Sequence, residues 1–339
     1  MQDKKAKRKS TLLMRKQASN GMKILVTGAA GSIGSHVAEA LCRAGHHVIA
    51  LDCFTDYYDR SIKDLNAAAV KASGAEFRNV DLASDDLTDV VKGSEVICHL
   101  AAQPGISATT PFDAYLRNNV IATERLISAA DGNKSLRAFI NFGTSSIYGT
   151  YANGNETTEA KPSSIYGVTK LAAEQLVLAR HREAGFPGLS LRIFSVYGER
   201  ERPEKLYHKL TKAILENEEF PLYENAREMV RSYTYVGDIV DGCSLVLKNL
   251  DACIGEIINL GNNVTHTTGE GIDIIESILG KKARFKLLPP RPGDQKETSA
   301  DITKAKRILG YKPKVALADG LAREVEWYIK HIHSNARKT

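Results

Sequence analysis

The stretch KILVTGAAGSIGSHVAEAL, residues 23–41, decides how this chain begins to fold. Its opening run ILVT predicts a buried strand, and the residues after Gly34 place apolar side chains at helical spacing. Between them, Gly28, Gly31 and Gly34 form a GxxGxxG pattern, which permits a tight turn and close approach of a ligand to the backbone. The N-terminus of the helix can then face a phosphate group.

The glycine pattern alone is also compatible with a turn that binds nothing. Asp52 favours a dinucleotide, because it ends the next strand-like run 18 residues after Gly34, where a carboxylate can bind both hydroxyls of a ribose. A carboxylate repels a 2′-phosphate, and no arginine follows within several residues, so NAD is favoured over NADP. Asp81, after the third run, is either an adenine contact or a strand-end turn residue.

Short β-rich runs alternate with helical segments from residue 22 to about 200. This alternation predicts an α/β fold, a doubly wound parallel sheet of the Rossmann type with a smaller C-terminal α/β lobe. The predicted helices are Ile33–Ala44, Asp59–Ala72, Tyr115–Ala130 and Ser164–Ala184. We expect residues 22–190, rejoined by 232–262, to form the NAD-binding domain, and residues 191–231 with 263–335 to form the substrate lobe.

The net charge of +6 lies in the first 21 residues, which hold seven Lys and Arg residues against Asp3 alone. The remaining chain is balanced (6 − 6 = 0), so the folded body shows no nucleic-acid footprint. The leader lacks the apolar core of a signal peptide or membrane span, and we expect it to be disordered. Five cysteines without paired spacing favour a reducing, cytoplasmic setting and no metal site.

The segment YGVTK places Tyr166 and Lys170 four residues apart, on one face of a predicted helix. An ammonium close to a phenol stabilises the phenolate, so the pattern predicts that Lys170 lowers the pKa of Tyr166 from its usual value of about 10. Upstream, the row Thr144, Ser145 and Ser146 follows a strand-like run. These hydroxyls are either turn chemistry or a catalytic hydroxyl with two substrate-holding neighbours.

From Met22 to about Tyr328 the chain resembles the extended short-chain dehydrogenase/reductase family of nucleotide-sugar epimerases, dehydratases and decarboxylases. The motifs that carry the resemblance are VTGAAGSIGSH, HLAAQPG, TSSIYG, YGVTK, RIFSVYG, RSYTYVGDIVDG and ADITKAKRILGYKP. Within the family, DCFTDYYDRSIK, AAQPGI and SVYGERERP are most similar to UDP-glucuronate 4-epimerases.

The resemblance implies catalytic roles for Thr144, Tyr166 and Lys170. Tyr166 takes the proton of the sugar 4-hydroxyl, Thr144 hydrogen-bonds that oxygen, and hydride passes reversibly from C4 to NAD. Relatives that eliminate water or carbon dioxide carry acids where this chain has Ser145 and Ser146, which favours epimerisation. The implied NAD contacts are Gly28, Gly31, Ile33, Gly34, Asp52, Asp81, Leu82, Ala101, Asn119, Tyr166 and Lys170.

The resemblance also implies a UDP-sugar substrate. The residues that it places around the sugar carboxylate are Thr144, Ser145, Ser146, Ser195 and Arg202. Arg231 and Arg291 would contact the UDP diphosphate. Arg202 read in isolation is an exposed charge. The chain departs from the common pattern of the family at Ser107, at Ile193 and in the loop ENAREMV. These departures bear on which sugar is bound more than on the type of reaction.

The family commonly pairs through the helices at Tyr115–Ala130 and Ser164–Ala184, so a homodimer is expected. The principal alternative activity is 4-epimerisation of a neutral or N-acetylated UDP-hexose. Decarboxylation of UDP-glucuronate is the next alternative. A non-catalytic NAD-binding regulator is disfavoured because Thr144, Tyr166 and Lys170 are all present.

Overall fold

The computed structural model describes residues 21–107, 109–290 and 295–334. Residues 1–20 of the basic leader, and Arg291, lie outside this range. The strands of the described residues are, in chain order, β1 Lys23–Thr27, β2 His47–Asp52, β3 Glu76–Asn79, β4 Val96–His99, β5 Ala138–Thr144, β6 Tyr151–Ala152, β7 Gly188–Ile193, β8 Val196–Tyr197, β9 Glu219–Tyr223, β10 Val230–Arg231, β11 Thr234–Tyr235, β12 Ile257–Leu260, β13 His266–Thr267, β14 Arg284–Leu288 and β15 Glu297–Thr298.

The α-helices of the same residues are, in chain order, α1 Ser32–Arg43, α2 Arg60–Ala72, α3 Thr88–Val91, α4 Phe112–Tyr115, α5 Ala122–Ala130, α6 Ile165–Ala184, α7 Leu206–Glu216, α8 Val236–Lys248, α9 Leu250–Cys253, α10 Thr268–Leu279, α11 Thr303–Leu309 and α12 Leu317–Tyr328. A π-helical segment, Leu116–Ile121, joins α4 to α5, and another, Ile329–His333, continues α12. The predicted helix Tyr115–Ala130 thus begins earlier, at Phe112, and contains a π segment.

The main sheet has seven parallel strands in the order β12-β7-β5-β4-β1-β2-β3. The order reverses between β1 and β4, and ligands of such sheets bind at the carboxyl ends of the strands at this switch point. Successive residues of β1 enter opposite cores: Ile24 and Val26 pack on one face and Leu25 on the other. The predicted doubly wound parallel sheet is confirmed.

A second core lies under the C-terminal lobe, where α7, α10 and α12 pack together. Strands β9 and β14 form a separate parallel pair in which Phe220 is opposite Phe285. Strand β12 instead extends the main sheet by pairing with β7, and α8 packs on α1. These contacts support the domain division that we propose, with residues 232–262 in the dinucleotide-binding domain.

Candidate active site

A cavity of about 610 Å³ opens at the carboxyl ends of β1, β2, β4 and β5 and extends to the second lobe. The predicted site residues that line it are Gly28, Gly31, Ile33, Gly34, Asp52, Asp81, Leu82, Ala101, Thr144, Ser145, Ser146, Tyr166, Lys170, Ser195, Arg202 and Arg231. Asn119 does not line it. Its side chain accepts a hydrogen bond from Gln103 N at 2.7 Å and donates to Thr169 Oγ1 at 3.0 Å, so it holds the loop after β4 in place.

The glycine turn between β1 and α1 is a close-packed cradle. A Cβ on Gly34 would lie 2.1 Å from the carbonyl oxygen of Gly28. Gly28 itself has φ +68°, and a Cβ there would lie 2.8 Å from the amide nitrogen of Ala101 at the end of β4. The turn therefore brings the backbone of the switch point and the N-terminus of α1 to the cavity wall, an arrangement that fits a pyrophosphate.

Replacement of Gly34 by alanine is expected to abolish NAD retention, because the new methyl group meets backbone that has no room to withdraw. The measurement is the NAD content of the purified protein, with circular dichroism as a check on folding. Gly45→Asn is the matched control: it lies in the exposed turn after the same helix, nothing lies within 4 Å of its Cβ position, and asparagine tolerates its left-handed backbone. Full NAD content in Gly34→Ala would contradict the cradle.

Asp52 is fixed at the end of β2 by two backbone amides. Its Oδ2 accepts from Ala30 N at 3.0 Å and its Oδ1 from Phe54 N at 2.8 Å, so the carboxylate is tied to the glycine turn. Each oxygen keeps a further acceptor site toward the cavity, as a ribose diol requires. Asp81 divides its oxygens between Ala83 N at 2.9 Å and Arg117 at 2.6 Å. The turn reading of Asp81 is thereby confirmed, while its adenine contact stays a prediction.

The row of hydroxyls follows β5 at the cavity floor. Thr144 Oγ1 accepts from Ser146 N at 3.2 Å and starts a single 3₁₀ turn, Ser145–Tyr148. The hydroxyl of Thr144 also faces the phenol of Tyr166 and favours its phenolate form. Thr144 thus makes the turn contact and also faces Tyr166, while its catalytic role stays a prediction.

Burial raises the pKa of Tyr166, and the largest opposing effect is the positive charge of Arg202, followed by the hydroxyl of Thr144. The prediction that Lys170 brings this pKa down is therefore wrong for the protein by itself. Burial also lowers the pKa of Lys170 to about 8, partly offset by the charge of Glu174. Arg202, from a distant part of the chain, is the cation that acts on the phenol.

Glu174, whose charge acts on Lys170, forms a buried ion pair with Arg192. Glu174, one turn further along α6, accepts from Arg192 Nη2 at 2.7 Å and Arg192 Nε at 3.0 Å. Ser190 and Tyr148 complete the network: Ser190 Oγ donates to Glu174 at 3.0 Å and Arg192 donates to Tyr148 Oη at 2.8 Å. Sequence analysis missed Glu174, although its spacing of four residues from Lys170 is a usable signal.

Replacement of Glu174 by glutamine is expected to lower the pKa of Lys170 further below about 8, because the carboxylate that raises it is lost. Activity that needs the ammonium form is lost as pH rises through this pKa, so the alkaline limb of the kcat profile should move to lower pH by about one unit. The control is Glu183→Gln, an exposed position on the same helix. An unmoved limb in a folded Glu174→Gln protein, with Glu174→Asp like wild type, would contradict this electrostatic role.

Further predicted substrate ligands line the cavity: Ser195 and Arg202, expected at the sugar carboxylate, mark the part called the sugar end, and Arg231 is expected at the diphosphate. Arg202 follows β8, and its Nη1 lies 3.2 Å from Glu204 Oε1. The hydroxyl oxygen of Ser195 lies 3.5 Å from Thr298 Oγ1. The backbone of Ser195 has a φ of +20°. Arg231, on β10, donates to the carbonyl oxygens of Gln295 and Lys296 while it borders the cavity. The structure brings these three residues to the same cavity. Arg291 lies outside the described residues.

Among the lining residues that were not predicted are Tyr57, Tyr58, Glu201 and Glu204. Both tyrosines lie in the stretch DYYDR, which resembles the family but to which the resemblance assigned no function. Glu201 is buried, accepts from His208 N at 3.3 Å and has a raised pKa because of that burial. His99 is also buried, with its two ring nitrogens 2.9 Å from the hydroxyls of Thr27 and Thr123, so it is a structural partner.

Together the glycine cradle, the fixed carboxylate of Asp52 and the Thr–Tyr–Lys group are typical of a dinucleotide-dependent enzyme that acts on a carbon bearing a hydroxyl. In the described residues no group of His, Cys, Asp and Glu side chains is arranged to hold a metal ion. No described helix is long and apolar enough to cross a membrane.

Comparison with known proteins identifies the family to which this enzyme belongs. The NAD dependent epimerase/dehydratase family matches residues 24–261, and the chain belongs to this family. UDP-glucuronate 4-epimerase 4 of Arabidopsis thaliana is 33% identical over 95% of this chain and 79% of its own. A Bacillus subtilis protein named uncharacterized UDP-glucose epimerase YtcB is 36% identical over 90% of this chain and 98% of its own. The crystal structure of the Bacillus cereus UDP-glucuronic acid 4-epimerase with UDP-glucuronic acid and NAD matches with a TM-score of 0.88 and 36% identity, covering 91% of this chain and 99% of that one.

Proposed function

We propose that the protein interconverts UDP-glucuronate and UDP-galacturonate by epimerisation at C4, with NAD tightly bound. One observation carries the proposal: Arg202 faces the same cavity as Tyr166, near enough for its charge to oppose the rise in the pKa of Tyr166. A planar guanidinium beside the reacting tyrosine suits a sugar that carries a carboxylate one carbon from C4. The named activity of the Arabidopsis and Bacillus cereus relatives agrees with this choice.

The residues of the chain account for the proton at O4. Tyr166 accepts it as phenolate, and Thr144 donates to or accepts from the same oxygen. Arg202 supplies positive charge that favours the phenolate, and Lys170 lines the same cavity one turn further along α6. Bound NAD would supply reversible hydride acceptance at C4. The cradle at Gly34 and the carboxylate of Asp52 would hold its pyrophosphate and ribose.

The oxidised uronate is a β-keto acid, which readily loses carbon dioxide unless its carboxylate is held. Arg202 would hold it through two parallel hydrogen bonds, with Ser195, Ser145 and Ser146 around it. The serines are poor acids near neutral pH, and this disfavours the decarboxylase and dehydratase alternatives. At the nucleotide end, Arg231 and Arg291 would bind the diphosphate.

We further propose a homodimer built on the helices α5 and α6. Ile121, Ile165 and Val168 are apolar side chains that are 42%, 48% and 50% exposed, as expected where a second copy packs. Val168→Glu is expected to halve the mass found by light scattering, while Tyr151→Phe, exposed elsewhere, leaves it unchanged. A Val168→Glu protein with wild-type mass would refute this interface.

Under the same proposal the protein works in the cytoplasm, where its five free cysteine thiols would stay reduced. The activity is tested by incubating the purified protein with UDP-glucuronate, UDP-glucose and UDP-GlcNAc and identifying the products by NMR. UDP-galacturonate as the main product supports the proposal. A product formed only from UDP-GlcNAc, or bound NAD with no turnover of any sugar, would favour the hexose epimerase or the regulator.

A further inference from the structure

A carboxylate of the protein itself accompanies the proposed sugar-carboxylate ligand. Glu204 Oε1 lies 3.2 Å from Arg202 Nη1, and the two side chains are only 33% and 17% exposed. Both residues line the sugar end of the cavity. Both carboxylate oxygens of Glu204, and Nη1 of Arg202, are shielded from solvent and have no other hydrogen-bond partner in the described protein. Glu204 therefore supplies a counter-charge to Arg202 from within the protein, and Arg202 also acts electrostatically on the buried carboxyl of Glu201.

The Arg202–Glu204 pair is linked to Tyr166 through packed neighbouring groups. A Cβ on Gly105 would lie 3.5 Å from Tyr57 Oη and 3.8 Å from Arg202 Nη2, so these side chains converge over the Gly105 backbone. The carbonyl oxygen of Gly105 accepts from Tyr115 Oη at 2.8 Å, and the ring of Tyr115 is 6.4 Å from that of Tyr166. Burial, then the charge of Glu204, raise the pKa of Tyr57, so this phenol stays neutral near the carboxylate.

We infer that Glu204 is a specificity-determining residue that lets the cleft accept UDP-hexoses with a neutral C5 substituent as well as UDP-uronates. The inference rests on the proposed function, because it assumes that the sugar lies against Arg202. A shielded guanidinium needs a counter-charge. With a uronate bound, the sugar supplies it; with a neutral hydroxymethyl group at C5, Glu204 supplies it from within the protein.

The geometry of guanidinium allows both situations. Arg202 has five N–H donors on two edges, and Glu204 occupies the Nη1 side. The remaining edge can bind a sugar carboxylate in parallel or a sugar hydroxyl. Glu204 also reduces the net positive charge at this wall, which weakens selection for an anionic sugar.

The experiment compares kcat and KM for UDP-glucuronate and UDP-glucose in wild type, Glu204→Gln and the control Glu183→Gln, an exposed position on α6. Glutamine keeps the size of the side chain and removes its charge. We expect wild type to epimerise both sugars. In Glu204→Gln the ratio of kcat/KM for uronate over hexose should rise about five- to tenfold, mainly through KM. NAD content and melting temperature verify folding.

The outcomes separate this inference from the proposed function. Wild type that epimerises the uronate but not the hexose, or a ratio that Glu204→Gln leaves unchanged or lowers, would overturn the role of Glu204 and leave the proposed function intact. Wild type that turns over neither sugar would count against the proposed function itself. A Glu204→Gln protein that does not fold is replaced by Glu204→Ala with the same expected ratio, and an unchanged ratio there would equally overturn the inference.

Discussion

Replacing Tyr166 by phenylalanine is expected to lower kcat for UDP-glucuronate by about a thousandfold while NAD stays bound. The reason is that the phenol is the proton acceptor for the sugar 4-hydroxyl, and losing a positioned general base costs about 10²–10⁴ in rate. The ring itself packs beside Tyr115, with centroids 6.4 Å apart, so phenylalanine keeps the packing. The measurement is steady-state turnover together with the NAD content and melting temperature.

The control for this variant is Tyr151→Phe, which removes a hydroxyl from a side chain that is 55% exposed. It should keep wild-type kcat. If Tyr166→Phe kept more than a tenth of wild-type activity, the proton would have to be taken by another group, and Thr144 would then be the residue to test next.

Replacing Arg202 by alanine is expected to lower kcat/KM for UDP-glucuronate by a hundredfold or more, about the effect of removing one partner of a shielded charge pair. Part of the loss should appear in the pH profile. Because Arg202 opposes the burial that raises the pKa of Tyr166, its removal lets that pKa rise, and the acid limb of kcat should move to higher pH.

Arg202→Lys separates the two effects. Lysine keeps the positive charge, so the acid limb should stay near its wild-type position, but it loses the planar fork and should still bind the uronate poorly. Arg43→Ala, at a side chain that is 64% exposed, is the control. Uronate kinetics that are unchanged in Arg202→Ala would contradict the carboxylate role.

Much of the NAD end could be predicted because its signals are short-range. The glycine spacing, Asp52 at the end of the second strand, and the four-residue interval between Tyr166 and Lys170 are each read from neighbouring residues. The parallel sheet follows from the alternation of strand-like and helical runs. Asn119 was assigned to the cofactor, yet its side chain is used by Gln103 and Thr169, and no local pattern shows such a partner.

The sugar end was less predictable because its contacts join distant parts of the chain. Tyr57 and Arg202 are 145 residues apart and converge only because both pack over Gly105. Which charged groups act on Tyr166 is decided by this packing of distant residues. Spacing alone suggested that Lys170 lowers the pKa of Tyr166, whereas burial raises it and Arg202 provides the opposing charge.

The most direct test of the central proposal is to turn over UDP-glucuronate labelled with deuterium at C4 and follow products by NMR. A hydride that leaves C4 and returns to it predicts UDP-galacturonate with the deuterium still at C4, no carbon dioxide and no net NADH. Label lost to solvent, or release of carbon dioxide with a UDP-pentose, would contradict epimerisation at C4 of a UDP-uronate.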